Sequence, residues 1–404
     1  MSTNSHLSSS AAIAALKAVY HDGLLNDTLP FWIDNCVDRQ YGGFTICLGQ
    51  DGTVIDTDKG IWSQGRFTWL LSTLYNEVEP KQEWLDLAKH GIDFIRKYGF
   101  DEDGRMFFSV TQEGKPLRKR RYIYSEAFTV AAFAAYAKAS GDEQAKKEAL
   151  SLFRLMQRYL SEPGLLDLKV IPETRSLKGL AIPMIMIVTA QTLREVLNDP
   201  TECNKVIDDS ISEIERDFMK SEFKAVLESV TQEGEFSDHF DGRMLCPGHA
   251  IEAAWFILKE SIYRNNDEKL QKLGLTILDW MLEWGWDKEY GGMLYYRDVK
   301  GLPVQEYWQD MKFWWPHNET IIATLMAYTI TKDDKYAKWH QKVHDWAYDH
   351  FPDPEHGEWF GYLRRDGSVM NEAKGNMWKG PFHVPRMQWM AAELCDAMAG
   401  SREE

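Results

Sequence analysis

The 404-residue chain sets 62 acidic side chains against 46 basic ones, a formal net charge of −16. That excludes the basic stripe a nucleic-acid partner demands and favours a soluble protein. No apolar run approaches the length of a membrane span, and the first ten residues are polar, so no membrane association is expected. Cys36, Cys47, Cys203, Cys246 and Cys395 are scattered, odd in number and without CxxC spacing, so no disulfide framework or metal site is expected and a reducing cytoplasm fits. Sixteen Trp, 17 Tyr and 19 Phe exceed what a core of this size requires. Most of them fill helix contacts, and a surplus lining a concave surface would suit stacking on sugar rings.

Helical periodicity dominates and predicts twelve amphipathic segments, near 11–36, 61–78, 82–98, 122–140, 142–160, 177–197, 203–219, 246–264, 267–285, 312–331, 333–350 and 381–398. From 61 onward neighbours fall into pairs joined by short polar turns such as Ser140-Gly141-Asp142. Pairing the last helix with the first closes a ring of six hairpins, an all-α toroid in one domain with its core over about 11–398. Between pairs, Asp38-Arg39-Gln40-Tyr41-Gly42-Gly43-Phe44 recurs as Asp287-Lys288-Glu289-Tyr290-Gly291-Gly292-Met293, with weaker echoes at 101–106 and 354–359. Each reads as a glycine-enabled helix stop leading into a short strand or hairpin.

The first helix of each pair is the more apolar and is expected inside. Unusual polar groups cluster near the starts of these inner helices: Arg66, Tyr124 with Glu126, Lys178, His249 with Glu252, His317 with Glu319, and His383 with Arg386. Parallel inner helices would deliver them to one mouth. A lone buried histidine is usually a satisfied core residue, but His249 and His383 both follow Gly/Pro helix-start sequences at equivalent ring positions. There the helix N-terminus is expected to lower imidazole pKa and favour the neutral base. Glu126, Glu252 and Glu319 offer a rival acid/base set for glycoside hydrolysis, yet orienting a histidine or holding a hydroxyl is the more economical role beside His249 and His317. His340 and His344 have metal-ligand spacing, but lie on a charged outer helix with no third ligand suggested. Phosphate-cradling and nucleophile-elbow motifs are missing.

Several stretches make the chain resemble the N-acylglucosamine 2-epimerase family over nearly its whole length. They include Lys59-Gly60-Ile61-Trp62-Ser63-Gln64-Gly65-Arg66, Gly248-His249-Ala250-Ile251-Glu252-Ala253, Trp314-Trp315-Pro316-His317-Asn318-Glu319 and Phe382-His383-Val384-Pro385-Arg386. The resemblance implies an (α/α)6 barrel, catalytic His249 and His383, and supporting or substrate-binding roles for Arg66, Tyr124, Glu252, Trp315, Glu319, Trp378 and Arg386. It implies no cofactor for the chemistry, ATP as an allosteric activator in some members, and a homodimer. Thr320 departs from the Ala expected after the glutamate. Cellobiose 2-epimerases and aldose–ketose isomerases share the toroid and both histidines, so unmodified sugars remain an alternative substrate. A non-catalytic sugar-binding role is the alternative of another class.

Overall fold

The computed structural model describes residues 7, 9–120, 122–168 and 170–400. Most of the polar start and Arg121, at the end of the one basic run, lie outside these residues. In chain order the helices are α1 (Ser10–Gly23), α2 (Leu29–Cys36), α3 (Ile61–Glu77), α4 (Gln82–Tyr98), α5 (Tyr124–Ser140) and α6 (Glu143–Ser161). They continue as a single turn α7 (Pro172–Arg175), α8 (Ala181–Arg194), α9 (Thr201–Glu213), a second single turn α10 (Phe240–Arg243), α11 (Pro247–Tyr263) and α12 (Glu268–Gly285). The last three are α13 (Trp314–Thr331), α14 (Asp334–His350) and α15 (His383–Gly400).

Burial explains which helices lie inside. In α5 every residue from Ser125 to Ala137 is buried, and in α13 every residue from Trp314 to Tyr328. A helix covered all round belongs inside other helices. By contrast α14 buries one stripe, Tyr336, Ala337, His340, Val343, His344 and Ala347, at helical spacing. The inner helices α3, α5, α8, α11, α13 and α15 each touch the next, and α15 returns to α3. Outside them α4, α6, α9, α12, α14 and α1 each pack chiefly on one inner partner. The result is the expected (α/α)6 ring, with the first helix closing it against the last.

Several expected boundaries change. The segment near 11–36 is interrupted by a π-helical turn, Leu24–Thr28, which joins α1 to α2. Residues Leu177–Gly179 pair as a strand with Ser229–Thr231, and Lys312–Phe313 pair with Tyr362–Leu363, so both helices start later than periodicity suggests. Local propensity yields there to hydrogen bonding between loops.

The repeated connecting motif has one construction. Bridges Val37–Phe44, Phe100–Met106, Trp286–Met293 and Pro352–Trp359 close all four occurrences. Gly42 (φ 85°) and Gly43 (φ 69°), like Gly291 (73°) and Gly292 (72°), take left-handed backbone that a side chain would strain. A buried lysine from the following strand or loop then clamps three of these turns: Lys59 to Asp38 at 2.7 Å, Lys312 to Asp287 at 2.9 Å and Lys374 to Asp353 at 2.9 Å. Burial opposes the charge on each aspartate, yet the lysine and its other hydrogen bonds hold the carboxyl below its usual range, at about 2 for Asp353. These turns precede α3, α5, α13 and α15 and help fix where those four inner helices begin, and so where their first side chains point.

Candidate active site

His383 opens α15 and is buried, with Nδ1 2.7 Å from Glu319 Oε1 on α13. Glu319 has its other oxygen on Trp255 Nε1 at 2.8 Å. Arg386, one turn beyond His383, donates from one nitrogen to Glu252 at 2.9 Å and to Glu319 at 2.5 Å. Two carboxylates from α11 and α13 are therefore neutralised by one guanidinium from α15. Burial, then Arg386 and Arg66, hold the His383 imidazole well below the usual histidine range. At neutral pH it is an uncharged base with Nδ1–H directed at Glu319, leaving Nε2 for a substrate.

His249 is half-buried on the first turn of α11, with Nδ1 2.9 Å from Glu228 Oε1. Burial again opposes charge, but Cys246 and the Glu228 carboxylate outweigh it and place His249 well above the usual range. This corrects the expectation that both histidines are depressed: an adjacent carboxylate without another cation overrides the helix terminus. Trp315 joins the two corners, its ring 5.0 Å from the His249 ring and 5.9 Å from that of His383. Gly248 permits this packing, since a Cβ there would lie 2.6 Å from the Trp315 ring.

Arg66 stands in an aromatic nest, its guanidinium 4.2 Å from the ring centre of Trp62, 4.3 Å from Phe128 and 4.7 Å from Phe382. Its Nε is buried without a hydrogen-bond partner, and burial lowers its pKa to about 9, so it stays charged at neutral pH. Tyr124 packs on Tyr122 and Trp62 at the same mouth, and burial pushes its hydroxyl up to about 12. Trp378 is 49% exposed and meets Trp62 edge-on at 5.4 Å, forming a rim.

The remaining candidates fall elsewhere. Glu252 bonds Arg386 and not His249, because the residue three positions on projects toward α15. Glu126 is buried against Arg105 and the Met106 amide, and Lys178 turns outward to Glu213 and Asp217. His317 is held by the Phe313 carbonyl and the Met293 amide, and burial drops it to about 3, so it braces a connecting turn. His340 and His344 lie on the buried stripe of the charged outer helix α14 and flank the Tyr20 hydroxyl at 2.9 and 2.8 Å. Glu228 comes from a connecting loop where nothing in local spacing marks it, while Tyr295, which packs edge-on to Trp315 at 5.9 Å, follows directly on the second glycine-turn motif.

Two histidines of opposite character, each with a carboxylate behind it, flank one indole beside an unneutralised arginine. Such a site can remove a proton from one face of a bound carbon acid and return one to the other. Hydrolysis fits poorly. Glu252 and Glu319 share one arginine and have oxygens within 4.8 Å of each other, whereas glycosidases need one protonated carboxyl across the scissile bond from its partner.

Comparison with known proteins agrees with the geometry. Residues 42–384 match the family model described as N-acylglucosamine 2-epimerase (GlcNAc 2-epimerase). The chain is 35% identical to the N-acylglucosamine 2-epimerase of Bos taurus over 380 residues, covering 92% of this chain and 89% of that one. It is 24% identical to the cellobiose 2-epimerase of Dictyoglomus turgidum over 394 residues, covering 93% and 97%. In fold it is similar to the solved cellobiose 2-epimerase of Bacillus thermoamylovorans, with a TM-score of 0.82 at 22% identity, covering 94% and 99%. The chain belongs to the N-acylglucosamine 2-epimerase family.

Proposed function

We propose that this protein is an N-acyl-D-glucosamine 2-epimerase, interconverting N-acetylglucosamine and N-acetylmannosamine. The observation that carries the reading is the pair of unlike histidines on either side of Trp315, backed by Glu228 and Glu319. The C2 proton is acidic only in the open-chain aldehyde, where its loss gives an enolate. Neutral His383 takes that proton through Nε2. Arg66, whose charge no carboxylate neutralises directly, stabilises the enolate oxygen. Imidazolium His249 delivers its proton to the opposite face, giving the 2-epimer. The reverse direction starts from the opposite protonation state, reached by exchange with solvent.

Arg386 holds Glu319 and Glu252 in place, and Glu319 fixes the His383 tautomer. A 2-acylamino group has no C2 hydroxyl to lose a proton, so transfer onward to a ketose is blocked. Trp315, Trp378 and Tyr124 supply faces and a hydroxyl for the sugar. Among the described residues no helix is long and apolar enough to cross a membrane. All five cysteines are free and buried, which supports work in a reducing cytoplasm. A homodimer and activation by ATP complete the proposal. Proton NMR with N-acetylglucosamine in D2O, with and without ATP, tests it: N-acetylmannosamine deuterated at C2 is expected. Exchange only with mannose, glucose or cellobiose would overturn the substrate, and no exchange with any of them would overturn the enzyme. Sedimentation analysis checks the dimer.

A further inference from the structure

At the edge of the reaction centre lies a donor set that proton transfer uses only in part, since Cys246 has no role in it. Cys246 caps the N-terminus of α11 and His249 follows three residues later, so both side chains occupy one face of the helix start. Glu228 reaches them from the loop between the strands Ala225–Val226 and Ser229–Thr231. The Cys246 sulfur, a His249 ring nitrogen and a Glu228 oxygen all lie within 4.8 Å of one another. Cys246 is buried, and the second Glu228 oxygen is buried with no hydrogen-bond partner. That orphaned carboxylate oxygen is an acceptor still seeking a donor or a cation.

A soft sulfur, an imidazole nitrogen and a carboxylate oxygen match the ligand preferences of zinc. Its bonds of about 2.0–2.3 Å need only a small inward closure of groups already this near. Three protein ligands leave the fourth tetrahedral position for water. The companion cluster shows why this one stands out. Glu252, Glu319 and His383 also have donor atoms within 4.8 Å, but the Arg386 guanidinium bonds both carboxylates and already supplies the cation. Among the described residues no lysine or arginine is paired with Glu228 in the first cluster; its ion-pair partner is His249 itself.

We propose that Glu228, Cys246 and His249 form an inhibitory site for a thiophilic divalent cation of the zinc type. The metal takes the place of the proton between His249 Nδ1 and Glu228, and the Cys246 thiol releases its proton to solvent as the metal–sulfur bond forms. No electron is transferred. The displaced Nδ1 proton also passes to solvent, and His249 keeps only its Nε2 proton, whose loss would leave an imidazolate, so it no longer serves as the acid and proton return stops. Binding stands apart from the epimerase reading; the inhibitory consequence rests on it.

Cobalt(II) is the probe, because its thiolate charge-transfer band reports sulfur ligation directly. Titration of the full-length protein should give that band with one equivalent bound, and Zn2+ should bleach it by displacement. Cys246→Ser should abolish the band. Glu228→Gln should weaken binding by more than about tenfold, the smaller loss seen when even a supporting carboxylate is removed from a metal site. The second variant keeps the test open should the first fail to fold. Zn2+ should also suppress inversion at C2 in proportion to its occupancy. Absence of the band in the wild type, or its persistence in folded Cys246→Ser, would overturn the site. Zn2+ bound with inversion undiminished would overturn inhibition. The expected band in a protein that exchanges no sugar would leave the site standing and remove the epimerase reading instead.

Discussion

The two histidine corners are built alike and charged differently. Each places an imidazole on the first turn of an inner helix and sets a carboxylate on its Nδ1. Behind His383 the carboxylate is Glu319, from a neighbouring inner helix and already neutralised by Arg386. Behind His249 it is Glu228, from a connecting hairpin, with no lysine or arginine paired to it among the described residues. The proton therefore rests on His249, where it balances Glu228, and leaves His383 as the free base. An acid and a base can be made from one residue type by deciding which carboxylate already has a partner.

Removing either imidazole tests this comparison most severely. His249→Ala and His383→Ala should each lower epimerisation by about 10²–10⁴-fold or more, the range of positioned acid–base groups. Each variant should still wash C2 deuterium out of one epimer and not the other, read by NMR; inversion near the wild-type rate in either would break the two-corner scheme.

Next comes the arginine that separates the corners electrically. Arg386→Ala leaves Glu252 and Glu319 buried and unpaired, and should cost roughly 3–5 kcal/mol of stability by denaturant unfolding. It should also raise the His383 pKa, because the nearest like charge is gone. Unchanged stability would mean that those carboxylates are satisfied by other means.

The pH profile sharpens the comparison further. In the direction that starts with His383 as base, turnover should rise as pH passes the lowered His383 value and fall as it passes the raised His249 value, giving a plateau across neutrality. Cys246 and Glu228 together raise His249, and Glu228→Gln removes the second of these, so the alkaline limb should move to lower pH. Its kcat should drop about ten- to a hundredfold, as behind metal-bound histidines that lose an orienting partner. An unmoved alkaline limb would show that Glu228 does not set the charge on His249.

The connecting turns should matter to stability and hardly to charge at the site. Asp353 is held at about 2, so its contribution is complete above its unfolded value near 4 and is lost as pH falls from there toward 2. Asp353→Asn should flatten acid unfolding in that window, checked by circular dichroism. The smallest effect is expected for Glu126→Gln: some loss of stability from the Arg105 pair, and turnover as in the wild type.

Much of the ring could be read from the chain because inner and outer helices differ in a property carried by composition. A helix buried on every face, such as α5, is apolar throughout, while α14 shows a stripe. Arg66, Tyr124, His249, Glu319, His383 and Arg386 also come together as the helix starts suggested, with Trp315, which the family resemblance implied, between the two histidines. The carboxylate assignments did not transfer: Glu252 and His249 share a turn of helix but bond different partners, and Glu319 serves His383 rather than neighbouring His317. Proximity along a helix says which residues share a segment, whereas hydrogen bonding depends on which helix stands opposite.

The sequence by itself determined the helical hairpins, the glycine-dependent turns between them and the polar groups at the helix mouths, because periodicity, backbone freedom and residue chemistry are local. Only the tertiary structure decided that Glu228 stands behind His249, that Arg386 neutralises two glutamates, and that the two imidazoles differ in charge. Those outcomes depend on contacts 21, 134 and 67 residues apart in the chain, brought together when the ring closes. The energy of a charge depends on its neighbours in space.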